Sequence, residues 1–569
     1  MKRENYLLTK ILNIMSRITG LLLVVCLSLL HKNSQAQALS KSGIETAINY
    51  DGHSEKIALS TSQPMTDTSL KTTTDTSVGV AASSTHSQLL NKVEHFFGLA
   101  PKRYALSKFP DSTLSEKAPA TEPFAFGDFT WLNGNSRKTT PPLIDSKYFT
   151  SDVTFDFNYT GSFNHPIDNT VIGSTALARD NELQLSFLGF GGDIHVDHVR
   201  GRIMMQFGTR STIVPRNDLS SYKGQYDLQT IYRNISEAYG GYHWDKWHGI
   251  NLDAGIFMSY IGLFSYNNFE NWGYQPSYTS DNTPWFFNGL RLQTFPTDKL
   301  KIELWLVNGW QSYGMFNKSP GMGVSIYYRP KETVDYVFNN YYGKDDENLP
   351  GRYRFHSDNS YQLRYYSNSG SRFITKAAFS ITGDLGFENG DGVTPFGTKS
   401  TATKVGLPAQ NFISGMVYNR IWLGKQFAWT IGGGAMHNPG QYLVLAPTGY
   451  ADTLFQSQTG NGSTFDAWDF STSIDYMPKS NVTLKVEFVH RQIIDETAAT
   501  GSSPLPGADA GYFAGKGGVT SPTGYTNTGN YTYTSSGASV APPLSSWGGW
   551  MPDLVKAESR IVVAMMLRF

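Results

Sequence analysis

From residue 151 onward the chain alternates apolar and polar residues with a period of two. In the first such run Val153, Phe155, Phe157 and Tyr159 are apolar, and Asp152, Thr154, Asp156 and Asn158 fill the gaps. This pattern predicts an extended strand with one oily and one polar face. It returns at Leu300, Ile302, Leu304 and Leu306 against Lys301 and Glu303, and at Val482, Leu484, Val486 and Phe488 against Thr483, Lys485 and Glu487. It closes the chain at Ile561, Val563, Met565, Leu567 and Phe569. No stretch after residue 150 has a convincing helical period.

The connections carry as much information as the strands. Short turn signals fall at Val196–Val199, Asp245–Gly249, Pro296–Lys299, Pro330–Glu332, Ser367–Ser371, Gly424–Lys425 and Pro478–Asn481. Between them lie long polar segments at about 164–180, 210–232, 263–284, 311–320, 343–358, 383–409, 438–465 and 492–556. Short and long connections alternate strictly. A first strand near 152–163, seven hairpins and a last strand near 557–569 give 16 strands, an even number with both ends on the short-turn side. The expected fold is therefore all-β, a transmembrane antiparallel up-and-down barrel with short periplasmic turns and long external loops.

A soluble β-sandwich also alternates, with its oily face turned inward. Three features favour the membrane. The sheet-like stretch, 151–569, is far longer than a sandwich of about 100 residues. Trp244, Trp247 and Trp422 on the turn side, and Trp285, Trp310 and Trp468 on the loop side, fall near strand ends, as interfacial girdles require. The chain also stops at Phe569 on an oily face.

Before the barrel the chain changes character twice. Residues 1–36 place Lys2, Arg3, Lys10 and Arg17 ahead of an apolar stretch from Ile18 to Leu30, with the small Ala36 at a plausible cleavage point. This is the layout of a secretory signal peptide, which implies export through the inner membrane. Residues 37–123 are rich in Ser and Thr and low in bulky apolar side chains, which predicts a disordered periplasmic leader. Residues 124–150 regain aromatics (Phe124, Phe126, Phe129, Trp131) and form a short element, a candidate plug or periplasmic cap.

Several segments resemble the OmpL-like β-barrel porins of Gram-negative bacteria. They are Phe129-Thr130-Trp131-Leu132-Asn133-Gly134, Glu237-Ala238-Tyr239-Gly240-Gly241-Tyr242, the run Asp253 to Gly262, Thr283 to Arg291, and Leu306-Val307-Asn308-Gly309-Trp310-Gln311. The resemblance covers roughly 124–380 well and the C-terminal third only by pattern. It implies a pore in the outer membrane but names no solute. A strand ending on an aromatic resembles the signal read by the outer-membrane assembly machinery, which would give Phe569 that role.

If the oily face meets lipid, the polar face lines the lumen. It then carries Arg202, Arg291, Lys301, Glu303, Arg364, Lys376, Lys485, Glu487, Arg491 and Arg560. Opposed charges across a wet pore set up a transverse field that admits small hydrophilic solutes, and the mixed signs forecast weak ion selectivity. The same residues would also serve as cross-strand braces. The expected partners are outer-membrane lipid, the assembly machinery, diffusing solutes and other copies of the chain.

Composition narrows the picture further. Lys+Arg and Asp+Glu both number 47, so no whole-chain basic field points to nucleic acid. Signal cleavage would remove five basic residues and one acidic one, leaving a slightly acidic, cysteine-free chain, because Cys26 is the single cysteine. There is no Gly-x-Ser-x-Gly elbow, Walker loop or His-Glu-x-x-His, so neither catalysis nor a cofactor is expected. His195, Asp197 and His198 crowd one turn and His243, Asp245 and His248 another, which turn polarity explains better than metal binding. Asp384, Glu388, Asn389 and Asp391 read as an acidic external loop with weak Ca²⁺ character. Gly432-Gly433-Gly434 marks a bend or close packing within a strand. Two rivals to the pore remain. One is an adhesion barrel displaying the Gly- and Tyr-rich 492–556 loop, and the other an outer-membrane lipase-like enzyme.

Overall fold

The computed structural model describes residues 122–166, 169–215, 218, 220, 224–315, 317–346, 349–404, 406–440, 465–496, 512–519 and 551–569. The expected signal peptide (1–36), nearly all of the expected leader (37–123) and parts of the longest connections lie outside them.

The strands are β1 (Phe149–Ser162), β2 (Leu183–Val196), β3 (Val199–Phe207), β4 (Ile235–Trp244), β5 (Ile250–Met258), β6 (Phe286–Thr297), β7 (Leu300–Val307), β8 (Gly321–Lys331) and β9 (Val334–Gly343). They continue with β10 (Tyr353–Ser367), β11 (Ile374–Asn389), β12 (Asn411–Leu423), β13 (Phe427–His437), β14 (Phe465–Tyr476), β15 (Val482–Glu496), β16 (Phe513–Val519), β17 (Met551–Val555) and β18 (Ala557–Arg568). β1 to β15 and β18 pair with their neighbours in a closed antiparallel barrel, and β16 with β17 forms a separate hairpin. The barrel thus has the expected 16 strands, and β1 closes on β18 from Thr154↔Arg568 to Ser162↔Arg560. Reciprocal backbone bonds between Val153 and Phe569 seal the seam at the turn side.

All seven short turns fall where the sequence places them. Three long connections are shorter than expected: β10 begins at Tyr353, β11 runs on to Asn389, and β15 runs to Glu496. The reason is chemical. Arg354, His356 and Asp358 on β10 and Asp384 and Glu388 on β11 are polar because they face the interior, and their polarity imitates a loop. The acidic cluster is therefore corrected: Asp384 and Glu388 are inward strand residues, and Glu388 Oε1 accepts from Arg354 Nη2 at 2.7 Å.

The polarity of the two faces is that of a membrane barrel, oily outside and polar within. On β7, Glu303 is 2% exposed and its neighbour Leu304 49%; on β15, Glu487 is 0% exposed and Val486 50%. In water that arrangement would forfeit the hydrophobic stabilisation of some twenty large side chains, whereas in lipid it retains it. Among the described residues no helix is long and apolar enough to cross a membrane.

The girdle expectation holds for three tryptophans and fails for three. Trp244 and Trp247 are exposed near the turns, and Trp468 shares the outward face of β14 with Phe470. Trp285 and Trp310 are buried inside, and Trp422 faces inward against the Trp272 ring at 6.0 Å. Their positions near strand ends match a girdle, but the interior holds aromatic clusters of its own that need them.

The lumen and the segments that enter it

Among the described residues several pieces of chain enter the barrel interior, and two of them touch each other there. The first is the 259–285 connection between β5 and β6, and the second is the stretch from residue 124 to about 140. Both are held by the inward charges that the alternation pattern singles out.

The 259–285 loop is fastened chiefly by β15. Lys485 Nζ donates to the carbonyls of Trp272 at 2.7 Å and Asn271 at 3.0 Å. Two residues along, Glu487 accepts backbone N–H bonds from Tyr274 and Gln275, each at 2.9 Å. Arg491 then donates to the carbonyls of Gly173 and Pro276 and pairs with Asp281 at 2.6 Å. Alternate residues on one strand thus satisfy successive backbone groups of a segment that has no sheet partner, which is what buried polar backbone requires. From the neighbouring wall, Arg420 reaches the Trp272 carbonyl at 3.2 Å while pairing with Asp475 at 2.7 Å. Ser277 Oγ donates to Asp469 at 2.8 Å, and at Gly434 a Cβ would stand 2.7 Å from Ser277 Oγ. The glycine run on β13 therefore marks close packing, since a Cβ at Gly432 would likewise strike the Tyr418 ring.

At the loop side, Tyr260, Ile261 and Tyr278 join Phe257, Phe287, Trp305, Trp310 and Tyr341 in one buried cluster. The β16–β17 hairpin adds Tyr512 and Phe513, whose rings lie 5.3 and 5.8 Å from Phe465 and Tyr278 respectively. This part of the 492–556 connection turns inward.

The 124–140 stretch enters from the turn side. Phe124 N bonds the Asp298 carbonyl at 2.8 Å, and Trp131 Nε1 the Glu332 carbonyl at 2.9 Å. Deeper, Asn133 N donates to Gln362 at 2.9 Å, and Trp272 Nε1 donates to the Trp131 carbonyl at 3.0 Å, so the two interior segments touch. They cross at Gly134, which has φ +76° and where a Cβ would lie 2.3 Å from the Leu263 carbonyl oxygen. Asp128 ties the stretch to the wall through Lys376 at 2.9 Å and Arg364 at 3.8 Å, and Arg364 also pairs with Glu332 at 2.5 Å. Burial pushes the Asp128 carboxyl up, but hydrogen bonds from Thr130 and Lys376 outweigh it and hold it at about 2.

The remaining candidate residues keep partners on the wall. Arg202 meets Glu237 at 2.6 Å, Asp152 at 2.8 Å and Asp193 at 3.0 Å. Arg291 pairs with Asp253 at 2.8 Å and stacks near Tyr239, Phe257 and Trp305. Lys301 pairs with Glu303 at 3.1 Å and covers the Tyr327 ring at 3.7 Å. Arg560 pairs with Glu558 at 2.9 Å. Arg200 and Arg329, which the strand pattern does not single out, belong to the same wall: Arg200 lies 3.4 Å from Asp253 and Arg329 2.7 Å from Asp335. Arg200, Arg202, Arg291, Lys301 and Arg329 remain partly exposed, whereas Lys485, Glu487, Arg491 and Arg560 are fully covered.

The two histidine turns come together, with His243 Nε2 at 3.0 Å from Asp245 and the His198 ring 6.4 Å from that of His243. Among the described residues no group of three His, Cys, Asp or Glu is placed to hold a metal. Phe569 packs edge-on against Phe155 at 6.3 Å on the outer face.

No curated protein matches the chain. Among solved structures it is similar to OmpT of Vibrio cholerae at 7% identity, covering 75% of this chain and 99% of that one with a TM-score of 0.39. It is similar to the outer-membrane channel DcaP of Acinetobacter baumannii at 10% identity, 76% and 100% coverage and a TM-score of 0.38. OprB of Pseudomonas putida stands at 10% identity, 74% and 94% coverage and 0.39. Residues 153–520, most of the barrel, match the family described as "Putative beta-barrel porin-2, OmpL-like". The chain belongs to this OmpL-like family of outer-membrane β-barrel porins.

Proposed function

We propose that this porin passes small hydrophilic solutes by diffusion along one side of its lumen, against the inward face of β3 to β8. The observation that carries the reading is the division of the interior charges. Lys485, Glu487, Arg491 and Arg560 are covered, and Arg364 and Lys376 hold the 124–140 stretch. Arg200, Arg202, Arg291, Lys301 and Arg329 keep exposed surface beside Glu237 and Gln293. Arg202, Arg291 and Lys301 then line the route, with Glu303 covered behind them as the partner of Lys301; Arg364 and Lys376 border it, and Lys485, Glu487, Arg491 and Arg560 act from behind by fixing the constriction. The 259–285 loop narrows the route from the loop side and the 124–140 stretch plugs it from the periplasm.

The same reading takes residues 1–36 as an export signal, Phe569 as the assembly signal, and the molecule as a channel that performs no catalysis. The inward turn of Tyr512 and Phe513 supports constriction over outward display for that part of the long loop. Planar-bilayer recording of the refolded protein tests the proposal. Discrete conductance steps whose cation-to-anion preference shifts on Arg291→Glu are expected; a folded barrel that conducts nothing would sink it.

A further inference from the structure

On the inner wall from β3 to β9 the two signs of charge are not equally open. Arg200, Arg291, Lys301 and Arg329 keep 13–31% of their side-chain surface exposed, whereas their partners Asp253, Glu303 and Asp335 keep 3% or less. In every one of these pairs the carboxylate is the covered member and the cation the open one. A solute entering this side of the lumen therefore meets guanidinium and ammonium groups, with the compensating charge withdrawn into the wall. Among the described residues of β2 to β9, the carboxylates that do stay open, Asp193 and Glu237, both bond Arg202, at 3.0 and 2.6 Å, along the β2 to β4 edge.

The count is unequal as well. Arg200 and Arg291 share one carboxylate, so four cations stand against three acids. Arg291 holds Asp253 Oδ2 through Nε at 3.2 Å and Nη2 at 2.8 Å, while Arg200 only approaches Oδ1, at 3.4 Å and without a hydrogen bond. Bracing the wall needs Arg291 alone, and Arg200 is the most open and least engaged of the four. Arg329 donates to Asp335 through Nε at 2.7 Å, and Lys301 meets Glu303 at 3.1 Å, so each keeps further N–H groups beyond its partner. Aromatic rings support the cationic heads without consuming those donors: Tyr327 lies 3.7 Å from Lys301 Nζ, and Tyr239 4.9 Å from the Arg291 guanidinium carbon.

We infer that the solutes selected by this wall are small organic carboxylates, bound in transit by Arg200, Arg291, Lys301 and Arg329. A guanidinium presents a planar fork that matches the two oxygens of a carboxylate, which a halide or a neutral sugar cannot use in the same way. Arg200, whose donors are least occupied by the wall, is the principal contact. The mixture of signs along the sequence does not cancel at the surface a solute meets, because burial removes one sign from it. The inference rests on the transport reading and adds to it the class of solute.

The test uses the refolded full chain in a planar bilayer under a tenfold potassium chloride gradient. The reversal potential should take the sign of a chloride-preferring channel. Succinate at millimolar concentration should lower the chloride current at least twofold, and glucose at the same concentration should not. Arg200→Gln leaves the Arg291–Asp253 pair in place and should weaken the succinate effect at least fivefold, Arg200→Glu should abolish it, and Arg200→Lys should retain the ion preference; heat-modifiable migration identifies the folded barrel in every sample. A channel that prefers potassium, responds equally to glucose, or is indifferent to Arg200→Glu overturns the inference and leaves the transport reading standing. Calorimetric titration of succinate into the folded protein in mild detergent needs no conduction. Binding that is lost in Arg200→Glu is expected there, and an unmodified protein that binds no succinate contradicts the inference. A silent barrel that binds succinate defeats only the transport reading.

Discussion

Removing the carboxylate of Glu487 strands two buried backbone N–H groups, those of Tyr274 and Gln275, inside the barrel. Each buried donor left unpaired costs about 1–3 kcal/mol, so stranding two makes Glu487→Ala lower stability by about 2–6 kcal/mol. Glu487→Gln, which keeps an acceptor for one of the two donors, should cost less. Urea unfolding midpoints check both, and an alanine variant as stable as the parent would show that the loop does not depend on this strand. Asp128 offers a pH-dependent counterpart at the other end of the lumen. Its carboxyl titrates at about 2, below the ordinary 3.8, so the folded state favours the charged form. The contribution to docking the 124–140 stretch is complete above the ordinary value and is lost as pH falls through about 2. Asp128→Asn should reproduce that loss at neutral pH, detected as faster proteolysis between residues 122 and 140; an unchanged cleavage rate would deny Asp128 its anchoring role.

At the scale of elements, the strands were legible because a membrane barrel writes its two faces into alternate residues. Hence the alternation of Leu304 with Glu303 and of Val486 with Glu487 located β7 and β15 directly. The turns were legible because Pro, Gly, Asn and Asp gather where two strands reverse. The interior segments were not. Nothing in Trp272 to Ser277 announces that it crosses the lumen, since its partners Lys485, Glu487 and Arg491 lie more than 200 residues away. For the same reason a charge that clamps a loop looks like one that faces solute. One signal was present but ambiguous: Trp285, Trp310 and Trp422 lie near strand ends, where a girdle and a buried cluster read alike. The β16–β17 hairpin was hidden within a Gly- and Tyr-rich stretch, and its packing against Tyr278 assigns it a task that can be tested. Excising residues 512–555 should raise single-channel conductance while leaving the barrel folded. Loss of surface binding with no change in conductance would favour adhesion instead.

At the scale of the whole molecule, stability depends on the solvent the outer face meets. Leu304→Arg places a charge on the lipid side of β7 and should cost about 2–4 kcal/mol near the midplane, measured as unfolding free energy in phospholipid vesicles. Val562 lies on the opposite side of its strand from Ile561 and Val563 and is fully buried, so Val562→Ala should act through lost packing and be insensitive to lipid thickness. The interior is charged and well paired, and the surface still exposed on β3 to β8 is where the route is assigned. The most direct measurement is therefore conductance of the purified, refolded chain in a planar bilayer, compared with Arg291→Glu and Lys301→Glu. Discrete openings with a shifted ion preference in both variants are predicted. Correctly folded protein that inserts without conducting, or conducts with a preference indifferent to both charges, would contradict the account.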